Sequence, residues 1–159
     1  VKLVSTLFLT CTLSWGGDFD SVIHTLKKTW PDRNSIGVVC DSSASKAKID
    51  QLAASCSGYR IIVIDVKAPQ DVGKAIPQLI SKVGVLLLMP GDRVAGDGQT
   101  GAAFLIQRLA VQHIPTIAVT EAGVKQGAVF AATGNKILVN PNSASVCGVS
   151  LPEGGIPIL

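Results

Sequence analysis

The loop Pro90–Gly101 (PGDRVAGDGQTG) is the stretch whose residue types come nearest to a ligand site. Its glycines permit positive φ and close approach of backbone N–H groups to a ligand. It leads into a helix N-terminus, whose dipole favours a carboxylate or a phosphate. As a phosphate loop it falls short: Gly91 and Gly96 have the right spacing, but Asp97-Gly98 stand where Lys and Ser/Thr are needed. Asp92 and Asp97 do not follow the ligand alternation of a calcium loop. Asp92 is therefore expected to cap the following helix or to hydrogen-bond a neutral polar ligand. The plain alternative is an ordinary flexible loop.

Two further clusters qualify. Asp41, Ser42, Ser43 and Ser45 follow an apolar run and open a helix, so they either cap it or hold the polar end of a ligand. No G-x-S-x-G surrounds these serines. Thr120-Glu121 stands at the end of another apolar run, where Glu121 either accepts hydrogen bonds from an amine or hydroxyl or serves as a first-turn carboxylate. His24 falls mid-helix and His113 at the far end of a helix, so neither is placed to activate a serine. Cys11, Cys40 and Cys56 read as small buried hydrophobes, and no catalytic dyad or triad emerges.

These residues need a frame, and the apolar pattern supplies one. Asp18 can cap a helix carrying Phe19, Val22, Ile23 and Leu26, which Trp30-Pro31 ends. SIGVVC (Ser35–Cys40) reads as a buried strand, followed by a helix with Ile49, Leu52 and Cys56 on one face that stops at Gly58. Tyr59–Val66 is the next strand. Pro69 then opens a helix that Pro77 should kink or break near Gly73. Val83–Met89 is continuously apolar, as a central parallel strand is. A helix over Ala102–Gln112, a strand over Ile114–Thr120 and a short turn or one-turn helix over Glu121–Gln126 follow. Two short strands meet at Gly134-Asn135, and Asn140-Pro141 begins a last helix ending at Gly148.

Strand-then-helix units in this number imply an α/β three-layer sandwich with a mainly parallel, doubly wound, flavodoxin-like sheet. Ligands in that architecture collect outside the carboxyl ends of the strands. The organisation expected is a single α/β domain over 1–159, with an N-terminal strand in 1–16, a core in 17–152 and an extended tail in 153–159. Leu3, Ser5, Leu7, Leu9 and Cys11 share one face of that first strand. Lys2 with Leu3–Leu13 resembles a secretory signal only weakly: it has one charge, Thr and Ser interruptions and no A-x-A site.

Composition narrows the function. The 159 residues are 47% hydrophobic and 16% charged, enough to bury a core. The net charge of +3, without a basic stripe and interleaved aromatics, argues against a nucleic-acid partner. Four cysteines without CxxC spacing and two histidines argue against a metal, and no cofactor is expected.

Several stretches together resemble the type I periplasmic-binding fold, in particular the ABC-transporter substrate-binding proteins of the aromatic-amino-acid-binding (TrpX-like) kind. They are DRNS followed by IGVVCDSSAS, LLLMPGD (Leu86–Asp92), IPTIAVTEAGVKQGA (Ile114–Ala128) and ILVNPNSASVCGVSLP (Ile137–Pro152). The third is the most specific. The similarity runs from about Gly17 to Pro152 and covers one lobe of a two-lobed family. The chain is then a stand-alone lobe, a fragment, or a lobe that pairs with a second copy. The family's N-P-S is Asp41-Ser42-Ser43 here. The resemblance implies ligand contacts at Asp41, Ser42, Ser43, Gly91, Asp92, Thr120 and Glu121. It also implies reversible binding of a small polar molecule such as an amino acid, a periplasmic or extracytoplasmic location, an ABC-type permease as partner and a homo-oligomer. A flavodoxin-like enzyme or receiver-like domain, and a purely structural or oligomerisation domain, are the competing expectations.

Overall fold

The computed structural model describes residues 19–158. The expected first strand, the Asp18 cap and Cys11 lie outside them. The described residues build a seven-stranded sheet in the order β2-β1-β3-β4-β5-β6-β7. Its strands are β1 (Ser35–Cys40), β2 (Arg60–Asp65), β3 (Val85–Leu87), β4 (Thr116–Ala118), β5 (Phe130–Thr133), β6 (Lys136–Val139) and β7 (Ile156–Pro157). Strands β1 to β5 run parallel, β6 turns back antiparallel on β5, and β7 lies parallel to β6. The 2-1-3-4-5 order is that of a flavodoxin-like sheet, with its switch point between β1 and β3.

Alternation along the strands sorts side chains between two cores. Ile36, Val38 and Cys40 of β1, with Val85 and Leu87 of β3, face α1 (Phe19–Thr29) and α2 (Lys46–Ser55). Leu86 and Leu88 point the other way, toward α3 (Ile76–Ile80) and α4 (Thr100–Ala110). Leu86, Leu87 and Met89 are fully buried. Each stabilises the sheet by about 2 kcal/mol relative to exposure. At Gly37 α3 packs close against the sheet, since an added Cβ would stand 2.8 Å from Leu79 Cδ2.

The elements are those expected, with shifts that have local causes. The helix after Pro69 breaks rather than kinks: a 3-10 turn over Pro69–Ala75 gives way to α3, whose first turn contains Pro77. A proline there lacks only an N–H that the first turn leaves unpaired anyway. Thr120 caps α5 (Glu121–Gln126) by accepting from Gly123 N. Asn140 Oδ1 caps α6 (Pro141–Cys147) by accepting from Ser143 N at 3.1 Å. The tail was expected to be extended. It also joins the sheet as β7, with Ile158 N donating to Val139 O at 2.9 Å.

Candidate ligand-binding site

The loops that follow β1, β2, β3 and β4 leave the sheet at one edge, and hydrogen bonds join them to one another. After β1, Asp41 Oδ1 accepts the N–H groups of Ser43 and Ala44, closing the turn that precedes α2. Of the four residues expected either to cap α2 or to hold the polar end of a ligand, Ser45 stands at the N-cap without a side-chain cap bond. Its hydroxyl donates instead to Asp92 Oδ2 at 3.0 Å.

Asp92, after β3, does not cap α4, whose N-cap is Gln99. Its Oδ2 also accepts from Asp41 N at 2.9 Å, and its Oδ1 accepts from Val94 N and Ala95 N, both at 2.9 Å. A carboxylate offers about four acceptor positions. All four are taken, so this buried side chain (4% exposed) positions two loops and has no lone pair left for a ligand.

The loop after β2 adds a cation that sequence reasoning did not single out. Lys67 Nζ reaches Asp41 Oδ1 at 2.6 Å, Ser43 Oγ at 2.9 Å and Asp65 Oδ1 at 3.0 Å. Ser42 donates to Asp65 through both its N–H (2.9 Å) and its hydroxyl (2.7 Å). Hydrogen bonds from Ser42, and then from Lys67, hold the Asp65 carboxyl down at about 2. The Lys67 hydrogen bond holds Asp41 low in the same way, and the two aspartates push Lys67 up. The signal for Lys67 was its place just past a strand end, two residues after an aspartate.

Asp97 links the third loop to the fourth. Its Oδ1 accepts from Gly91 N at 3.0 Å and its Oδ2 accepts from the Thr120 hydroxyl. Gln126, on α5, accepts from Gly98 N at 2.9 Å and donates to Gln99 O at 2.7 Å. Lys48 of α2 donates to Pro90 O.

The structure thus brings Asp41, Ser42, Ser43, Gly91, Asp92 and Thr120 into one connected rim. Glu121 stands beside it but pairs with Lys125 on its own helix at 2.8 Å, and this ion pair lowers its carboxyl pKa. Arg93, exposed in the β3 loop, has no hydrogen bond or ion pair among the described residues. A lone arginine in a glycine-rich loop belongs to no motif, so sequence reasoning did not single it out.

Nucleophilic chemistry finds little support here. Burial, then Asp92, pushes the Cys40 thiol up to about 12, so it stays protonated at neutral pH. His113 lies near the opposite end of the strands, against Cys147 O at 3.1 Å. No group of three His, Cys, Asp or Glu among the described residues is arranged to hold a metal ion. No helix among them is long and apolar enough to cross a membrane.

No protein-family model and no curated protein matches the sequence. Solved structures do match. An ABC domain in complex with L-Trp from Streptococcus pneumonia superposes with a TM-score of 0.74 at 16% identity, over 89% of this chain and 60% of that one. The chain has the fold of one lobe of an ABC substrate-binding protein. The lobe also matches a ligand-free, open substrate-binding protein with adhesive properties from Clostridium difficile. There the TM-score is 0.73 at 20% identity, over 86% of this chain and 58% of that one. A conserved domain protein from Vibrio cholerae gives 0.70 at 16% identity, with 89% and 60% covered. The lobe spans about 60% of the length of these solved chains.

Proposed function

We propose that this lobe is a solute receptor without enzymatic activity, and that its rim receives a small zwitterion such as an amino acid. The observation that carries the reading is the cross-loop network through Asp92, Asp97 and Lys67. Four loops from consecutive parallel strands are held together beside the switch point, where ligands of such sheets collect. The fold shared with substrate-binding proteins, one of them solved with L-Trp, supports the same reading.

In this reading the ligand carboxylate meets the Ser43 hydroxyl, whose proton the Lys67 contact leaves free, and the Arg93 guanidinium, and Glu121 meets the amine. Asp92 holds the loops in place. One rim covers one side of a ligand, while tight sites bury most of its surface. A second wall, from another copy of the chain or from a companion lobe, completes the cleft. An ABC-type permease as downstream partner and an extracytoplasmic location belong to the same reading.

Calorimetry with a panel of amino acids, alongside sedimentation velocity, tests it. The expected result is heat for at least one zwitterion that is lost in Arg93→Ala. A folded protein that gives no heat with the whole panel contradicts it.

A further inference from the structure

A cavity of about 330 Å³ opens between α4, α6 and the end of α5. Thr116, the first residue of β4, and Asn140, just past β6, both line it. Val129 N donates to Thr116 O and Asn140 N donates to Val129 O, which sets these positions at the strand ends away from the rim.

Three properties of its wall define what fits. Ile106, Ala110 and Val146 make much of it apolar. No Asp, Glu, Lys, Arg or His among the described residues lines it, so a charged ligand would lose its hydration without gaining a partner there. The third property is an unmet hydrogen bond. Thr116 is 2% exposed, and its Oγ1 is buried with no hydrogen-bond partner among the described residues. Buried hydroxyls are normally paired, and one that is not calls for an explanation. Asn140 is not its partner. Its Oδ1 caps α6, accepting from Ser143 N at 3.1 Å, and its Nδ2 donates to Val124 O at 3.2 Å.

We propose that this cavity is a second binding site, for a small neutral molecule, mostly apolar, whose single hydroxyl pairs with Thr116. The volume lies at the lower end of the range for small-molecule pockets, which suits a single-ring compound. A buried polar group rejects an analogue that leaves it unpaired, so the hydroxyl sets the preference.

Phenol and toluene, alike in shape and differing in that hydroxyl, are the probes. In an amide NMR titration phenol shifts Ile106, Gly127 and Ser143 and binds about tenfold tighter than toluene. Thr116→Val, which removes the unpaired hydroxyl, folds at least as stably as the parent and loses the preference. Thr116→Ser keeps the hydroxyl and keeps the preference, which guards the result if the valine variant fails to fold. Absence of phenol shifts at those amides overturns the proposal, as does a preference unchanged in Thr116→Val. The rim plays no part in this test, so its outcome is separate from that of solute binding there.

Discussion

Asp92 and Asp41 are 51 residues apart, yet Asp92 Oδ2 accepts the Asp41 N–H at 2.9 Å. The same carboxylate takes the Ser45 hydroxyl and the N–H groups of Val94 and Ala95. The loops on either side of the switch point are therefore one mechanical unit, joined by a single buried side chain.

Removing that side chain strands several buried donors. Asp92→Ala should lower the unfolding free energy by about 3 kcal/mol, and Asp92→Asn by about half as much, because one oxygen remains to accept. Urea unfolding at neutral pH measures both. A loss within about 0.5 kcal/mol for the alanine variant, the range of an ordinary surface change, contradicts the assigned role.

Two glycines of the same loop should respond differently. A Cβ at Gly96 would lie 2.4 Å from Asp92 O and 2.7 Å from Met89 O, both rigid backbone atoms. Gly96→Ala should cost about 3 kcal/mol or more by forcing the loop apart. Gly98, at φ +83° with nothing within 4 Å, meets only the strain of a left-handed backbone. Gly98→Ala should cost about 1 kcal/mol. Thermal unfolding of the pair checks the order, and equal losses contradict it.

The fold was largely legible because its signals are local. SIGVVC carries β-branched residues between turn formers and forms β1 with the expected bounds. Pro77 interrupts a helical pattern where the 3-10 turn gives way to α3. β7 escaped notice because two residues, one of them a proline, have no pattern of their own and are a strand only through their pairing with Leu138 and Val139. At the rim, strand ends marked Asp41 and Thr120. The work of Asp92 was hidden because two of its donors, Asp41 N and Ser45 Oγ, come from another part of the chain. The place of Lys67 was hidden likewise, since its partners sit on two different loops.

The ion cluster on the rim predicts a pH response of definite sign. Asp65 is held at about 2, below its ordinary 3.8. The stability it contributes is present above the ordinary value and is lost as pH falls through about 2. Lys67 is raised above 10.5, so its contribution is present below that pH and is lost as pH rises through its folded value. Carbon-13 NMR of the carboxyl groups follows Asp65 directly. Ser42→Ala, which removes the hydroxyl bond and keeps the backbone one, should raise its pKa, and so should Lys67→Met. A carboxyl pKa unmoved in both variants contradicts the geometry.

Thiol chemistry gives a fourth check. Cys40, Cys56 and Cys147 are buried and free, and burial pushes Cys40 to about 12 and Cys56 to about 11. All three should resist iodoacetamide in the native protein at mildly alkaline pH and react once urea unfolds it. Mass spectrometry of the peptides reads the result. Fast native alkylation at Cys40 would point to an activated thiol and against a pure binding role.

The most direct measurement is an amide NMR titration of the intact chain with the amino-acid panel. Ligand-dependent shifts concentrated at Ser42, Ser43, Gly91, Arg93, Gly98 and Glu121 are the result expected. A dispersed, folded spectrum that no zwitterion perturbs at millimolar concentration, or shifts that avoid these six amides, would contradict the assignment of the rim as the place where solute binds.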